Sequence, residues 1–233
     1  KDFYHSQRIV NTYEFNLVYW DGVEKAMLKY PQKFRDHVTK QVSKFCGTNR
    51  QLSRIDKSVA NVCPSCGADD ESSKHITRCR DSGRRKMLRH SVKEIVAWMT
   101  DTKVDADLTE MIQQYLLAQD TKLMAECLAD TASPILHTLA DVQDRLGWDN
   151  FVEGRVSTVF IAAVKPQLSA GRFKRSAEKW CSQLSSKLLS LTHSQWLFRN
   201  SHVHFRKLGG LTTKQHEDIF DGVINLMGTD PEE

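Results

Sequence analysis

The chain has 233 residues, 40% of them hydrophobic and 27% charged, with a formal net charge of +4 and six cysteines. That length supports one large core or two small ones, and the composition is ordinary for a globular protein rather than a disordered or fibrous one. No apolar run approaches the roughly 20 residues that cross a bilayer, and Lys1-Asp2-Phe3-Tyr4-His5 lacks the apolar centre of a secretory signal. No membrane partner is therefore expected.

The mild basicity permits a polyanionic partner without demanding one. The first residue is Lys1, so the chain reads as a segment of a longer protein.

In chain order, residues 1–20 read as an extended or irregular lead-in, with a short strand as one option, holding Phe15, Leu17, Val18, Tyr19 and Trp20. Asp21 fits the N-cap of a helix over Gly22 to Lys29, and Pro31 breaks it while opening the next. There, Phe34, Val38, Val42 and Phe45 form one apolar stripe, closed by Gly47. Thr48 to Val62 is polar and basic. After the cysteine cluster, helices are expected over Arg84 to Met99, from Asp105 through Leu116, over Leu123 to Ala129, over Ile135 to Leu146, and over Trp148 to Val164. The longest runs from Phe173 to His204, with Trp180, Leu184, Leu188, Leu191, Gln195 and Phe198 on its buried face. Gly209-Gly210 breaks it, and a last helix covers Thr213 to Met227 before a frayed acidic tail. Alternation typical of strands is scarce. The expected fold is mainly α, a helical bundle with a small zinc-knuckle insertion. Residues 1–82 form an N-terminal helical segment carrying the knuckle, and residues 83–233 form a C-terminal bundle.

The knuckle is the most informative segment. Cys63, Cys66, His75 and Cys79 have the spacing C-x2-C-x8-H-x3-C. Two cysteines separated by two residues wrap a tight turn around one ion, and Gly67 can take the left-handed backbone such a turn needs. His75 and Cys79 are four apart, so one helical turn aims both at the same point. Cys3His satisfies a tetrahedral zinc ion completely, which marks a structural site rather than a catalytic one. Cys46, Cys127 and Cys181 stand alone in apolar patterns. So few cysteines do not make a secreted disulfide scaffold, and the pattern reads as reduced and intracellular, in nucleus or cytoplasm. Asp69, Asp70 and Glu71 read as a solvated loop.

With that motif in place, the chain resembles the region downstream of the reverse transcriptase domain in eukaryotic retroelement proteins of algal and protist type. The matching residues are Trp20, Pro31, Arg35, Thr39-Lys40, Phe45-Cys46-Gly47-Thr48-Asn49, Leu52, Cys63-Pro64-Ser65-Cys66-Gly67, His75 and Cys79. Gly147-Trp148-Asp149-Asn150-Phe151 with Gly154, and Trp196-Leu197-Phe198-Arg199-Asn200 with His202 and His204, are similar to segments trailing that motif. The resemblance spans about residues 18–205. It implies the zinc-binding, helical C-terminal part of a retrotransposon-type polypeptide, which holds template RNA or target DNA near an upstream polymerase domain. The Tyr-x-Asp-Asp of a polymerase centre, the spaced carboxylates of RNase H and the Pro-Asp…Asp-x-Lys of an associated endonuclease are not found in this sequence. No catalytic centre is therefore expected in this segment.

Basic clusters flank the metal loop: Arg50, Arg54 and Lys57 before it, Arg78 and Arg80 at its end, then Arg84, Arg85, Lys86 and Arg89. Together they form a candidate nucleic-acid surface; singly, each reads as a solvated helix face. Trp20, Trp98 or Tyr115 could stack on unpaired bases, although Trp98 sits beside a buried stripe. His202 and His204 fit packing better than a second metal site, and Trp196-x2-Arg199 fits a lock in which Arg199 bonds helix-end carbonyls. Two further readings remain: a zinc-stapled scaffold for protein contacts, and a nuclease whose carboxylates converge only in three dimensions. An exposed apolar face after Phe151 would favour the scaffold, and three acids in one cleft the nuclease.

Overall fold

Asn11 and Glu14 form a reciprocal cap. Asn11 Oδ1 accepts from the Glu14 amide at 2.9 Å, and Glu14 Oε2 accepts from the Asn11 amide at 2.8 Å. Two otherwise orphaned donors are thereby satisfied, and a helix starts. In the computed structural model, which describes residues 10–170, 176–206 and 213–228, this helix α1 (Thr12–Leu17) stands where an extended lead-in was expected. The helices α2 (Trp20–Leu28), α3 (Gln32–Val42), α4 (Asn49–Ile55), α5 (His75–Arg78), α6 (Ser82–Asp101) and α7 (Ala106–Ala118) follow. After a 3-10 turn at Ala125–Cys127 come α8 (Pro134–Val152), α9 (Val159–Ala170), α10 (Ala177–Arg206) and α11 (Thr213–Gly228). The fold is mainly α. Among the described residues, strand-like pairing is confined to two isolated bridges, Val18 with Ser157 and Val62 with Asp69.

Several boundaries moved for local reasons. Helix α3 stops at Val42, and Lys44 takes a positive φ of 63°. Phe45 therefore leaves the stripe and is 63% exposed, whereas Phe34, Val38 and Val42 are buried. The polar stretch after Gly47 contains α4. Trp148 to Val164 is not one helix, because Gly154 turns the chain through φ 77°. A Cβ at Gly154 would lie 3.0 Å from the Ser185 carbonyl oxygen, on a backbone whose positive φ already strains any other residue, so glycine is strongly favoured there. Helix α9 continues through Pro166. The Gly209-Gly210 break, the tail and the start expected at Phe173 lie outside the described residues.

The chain divides into two compact units, one from Lys1–Leu28 with Val92–Leu189, the other from Lys29–Ser91 with Ser190–Glu233. This division is discontinuous in sequence, unlike the expected split at 82/83, and it cuts α6 and α10 internally. In the first unit, Leu108, Met111, Ile112, Tyr115 and Leu116 bury one face of α7. Tyr115 meets Trp148 and Phe151 edge-on, at centroid distances of 5.3 and 5.5 Å. Trp98 stacks on Trp180 at 5.0 Å. The loop after α8 is pinned by Gln143, whose Oε1 accepts from the Ser157 amide at 3.0 Å, and by Arg155, which donates to Asn150 and Glu153.

In the second unit, Tyr30 stacks on Phe34, and Phe34 meets His193 edge-on at 4.5 Å. His37 stacks on Trp196. Met87, Phe198 and Val223 form a further buried cluster. This unit carries the whole metal loop.

Candidate metal centre

Backbone geometry builds the knuckle first. The Gly67 amide donates to the Cys63 carbonyl at 2.9 Å, and the Cys63 amide donates to the Ala68 carbonyl at 2.8 Å. Gly67 takes φ 74°, the left-handed conformation its place demanded. The amides of Ser65 and Cys66 point at Cys63 Sγ as donors. Across the loop, α5 presents His75, and Cys79 follows directly on its last residue.

The result is one cluster. The donor atoms of Cys63, Cys66, His75 and Cys79 all lie within 4.8 Å of one another and could hold a metal ion. Cys63 Sγ sits 3.8 Å from Cys79 Sγ, and Cys66 Sγ sits 3.4 Å from His75 Nε2. Cys63 and Cys79 are buried and Cys66 is exposed. The side-chain contact with Cys79, with those two amides, holds the Cys63 thiol far below its ordinary range, and the same contact plus burial pushes Cys79 far above it.

Glu71 is a surprise of the loop. Expected in solvent, it is fully buried. Its carboxylate accepts from Arg199 twice, Nε at 2.9 Å and Nη2 at 2.6 Å, and from the Asn49 amide at 2.7 Å. Arg199 Nη2 also donates to Asn49 Oδ1 at 3.2 Å, and Asn49 Nδ2 donates to the Val62 carbonyl at 2.6 Å. Arg199 is therefore a bidentate carboxylate clamp on the metal loop, not a cap on helix-end carbonyls. Gln41, from α3, donates to the Ser73 carbonyl at 2.9 Å. Asp69 and Asp70 are exposed, as expected for the loop.

The nine cations flanking the loop divide. Arg84 is withdrawn from the candidate surface: it is fully buried, donating from Nη2 to the Ile76 carbonyl at 2.5 Å. Arg50 is exposed but paired with Asp70 at 2.9 Å. Arg78 is half-buried and donates to the Lys74 carbonyl. Lys86 is exposed with its ammonium 4.4 Å from the Phe220 ring centroid. Arg54, Lys57, Arg80, Arg85 and Arg89 are exposed. Tyr115, 2% exposed, cannot stack on bases; Trp98 is taken by Trp180, and Trp20 stacks on Phe15.

His202 is half-buried, and the His204 side chain lies outside the described residues. Among the described residues, no second group of three or more His, Cys, Asp or Glu donors converges as the Cys3His set does. No helix among them is long and apolar enough to cross a membrane. Comparison with protein-family models, with curated proteins and with solved structures gives no match.

Proposed function

We propose that the chain is a zinc-stapled helical accessory module of a reverse-transcriptase-type polypeptide, contacting RNA or DNA beside an upstream polymerase domain. The observation that carries the metal half is the donor geometry. In a tetrahedron with zinc–sulfur bonds of about 2.3 Å, neighbouring sulfurs stand about 3.8 Å apart. Cys63 and Cys79 have that separation, 3.8 Å, already. Three thiolates and one imidazole are the donors zinc prefers, and four protein ligands leave no position for a reacting water. The ion would hold the knuckle, α5 and the start of α6 together, a structural role with no catalytic step. The retroelement part of the reading rests on the residues that carry the resemblance.

Five exposed cations, Arg54, Lys57, Arg80, Arg85 and Arg89, support the nucleic-acid half. None of them forms an ion pair among the described residues. Arg85 and Arg89 are four apart on α6 and share a face. Such cations release counterions when they meet phosphates, so affinity would fall steeply with salt. The test is fluorescence anisotropy with single-stranded RNA and duplex DNA at low and physiological salt, on wild type, R85E/R89E and R54E/K57E. Binding that weakens with salt and on either reversal supports the reading. Absent binding at low salt, or indifference to both reversals, removes it.

A scaffold reading has its own observation. Phe45, Leu52 and Ile55 are 63%, 38% and 80% exposed, and an open pocket of about 520 Å³ lies beside Cys63, walled mainly by Val59, Ala60, Val62, Pro64 and Val203. After Phe151, where an apolar face was looked for, no large hydrophobic side chain among the described residues is exposed. A protein contact would therefore use the α3–α4 end, and F45S/I55S would abolish it without touching nucleic-acid binding.

A further inference from the structure

Arg84 carries a charge that its surroundings do not cancel. The side chain is fully buried. Its hydrogen bonds go to neutral acceptors, the Ile76 carbonyl at 2.5 Å and Gln195 Oε1 at 3.5 Å. Nη1 has no hydrogen-bond partner among the described residues, and no carboxylate among them forms an ion pair with this guanidinium. The one buried carboxylate nearby, Glu71, already binds Arg199 through both oxygens. Arg84, Arg199 and Glu71 together leave one positive charge buried. A buried charge without a counter-charge costs several kcal/mol, so a stable fold needs an anion here.

The groups that face Arg84 supply one. Arg84 bonds the carbonyl of the residue that follows His75; burial and, less strongly, Arg199 disfavour its charged form, and Cys79, Cys63 and Glu71 oppose them. A divalent ion held by three thiolates and one neutral imidazole has a net charge of −1. We infer that Arg84 is the built-in counter-ion of the metal centre: its guanidinium, hydrogen-bonded to the carbonyl next to His75, neutralises the excess charge of a divalent Cys3His complex. The inference rests on the metal reading above and deepens it, since it selects a divalent ion with all three thiols ionised. Arg84 touches no ligand atom through a hydrogen bond and is a positioning and charge-balancing residue. The Ile76 carbonyl and Gln195 Oε1 hold the guanidinium from two elements, and Gln195 Nε2 also donates to the Arg84 backbone carbonyl at 3.2 Å.

A purely structural Arg84 would matter equally with and without metal, and a counter-ion would not. The experiment measures zinc affinity by competition with a chromophoric chelator, and urea unfolding with zinc bound and with zinc stripped, for wild type, R84K, R84Q, C66H and C66H/R84Q. Outer-shell substitutions at metal sites typically weaken binding by about 10- to 100-fold. R84Q should fall in that range, R84K should stay within a few-fold of wild type, and the stripped form of R84Q should be no less stable than stripped wild type. C66H makes the centre Cys2His2 and neutral, so on that background R84Q should leave affinity unchanged or improved. Equal zinc affinities for wild type, R84Q and R84K would overturn the counter-ion role while leaving the metal site standing, as would an R84Q defect of equal size in both forms. If R84Q does not fold, the charge-retaining R84K decides: a loss as large as tenfold refutes the proposal. Wild type that takes up no zinc removes the metal reading itself and this inference with it.

Discussion

Glu71→Leu is the most informative single perturbation of the loop. The carboxylate is fully buried and accepts three hydrogen bonds, two from Arg199 and one from the Asn49 amide. Among the described residues, its removal leaves the Arg199 guanidinium, 3% exposed, with the Asn49 and Asn200 amide oxygens as acceptors, each at 3.2 Å. Breaking one side of a buried pair costs about 3–5 kcal/mol, a large part of the roughly 5–15 kcal/mol that holds a typical domain folded. Arg199→Met strands the carboxylate instead and should cost a similar amount. The double variant E71L/R199M removes both charges together. Its remaining penalty is the unpaired Asn49 amide, about 1–3 kcal/mol. The double variant should therefore be more stable than either single one, with a coupling of at least about 3 kcal/mol on a cycle of this kind. Urea unfolding followed by far-UV circular dichroism, at one fixed zinc concentration, reads all four proteins. Losses that simply add in E71L/R199M would refute the clamp.

Cys79→Ser should drop bound zinc from one ion per chain to none by atomic emission, and chelation of wild type should move its urea unfolding midpoint sharply down, because such sites contribute on the order of 10 kcal/mol of folding free energy. His37 and His193 are held neutral by burial, with pKa values pushed down to about 3 and about 4, His193 and Lys40 adding to the effect at His37. Each binds its proton more readily when unfolded, near pH 6.5, so their contribution is complete above that value and is lost as the pH falls through about 4 and then about 3. H37F, which keeps a ring against Trp196, should flatten the stability profile between pH 7 and 4 in parallel urea titrations; an unchanged slope contradicts it. Gly154→Ala should cost more than Gly147→Ala. Both glycines have positive φ, but a Cβ at 154 meets the Ser185 carbonyl at 3.0 Å while one at 147 meets nothing within 4 Å. Gly147, at φ 79° and ψ 170°, lies in a region that is essentially glycine-only and costs other residues about 1–3 kcal/mol, so G147A should lose that much and G154A, which adds the Ser185 contact to its own positive-φ strain, more in the same assay.

The sequence by itself determined whatever lies within one or two turns of chain. The ligand set occupies 17 consecutive residues, and C-x2-C with His-x3-Cys brings four donors together through local turns alone. The apolar period of α7 and of α10 likewise named their buried faces, since a helix repeats on itself. The start of α1 is local too: its cap, Asn11-x-x-Glu14, spans four residues of sequence, ahead of an aromatic run that by itself reads as extended chain.

Only the tertiary structure decided which polar residues face inward. Glu71 and Arg199 lie 128 positions apart, and Arg84 and Gln195 lie 111 apart. A loop carboxylate and an arginine in a basic run have the same composition whether solvated or buried. Their burial is set by the partner that long-range packing delivers, because an ion leaves water only where a counter-charge or a full set of hydrogen bonds awaits it. That requirement moved Glu71 from solvent to the core and turned Arg199 from a cap into a clamp; packing against Ile76 and Gln195 took Arg84 off the candidate nucleic-acid surface.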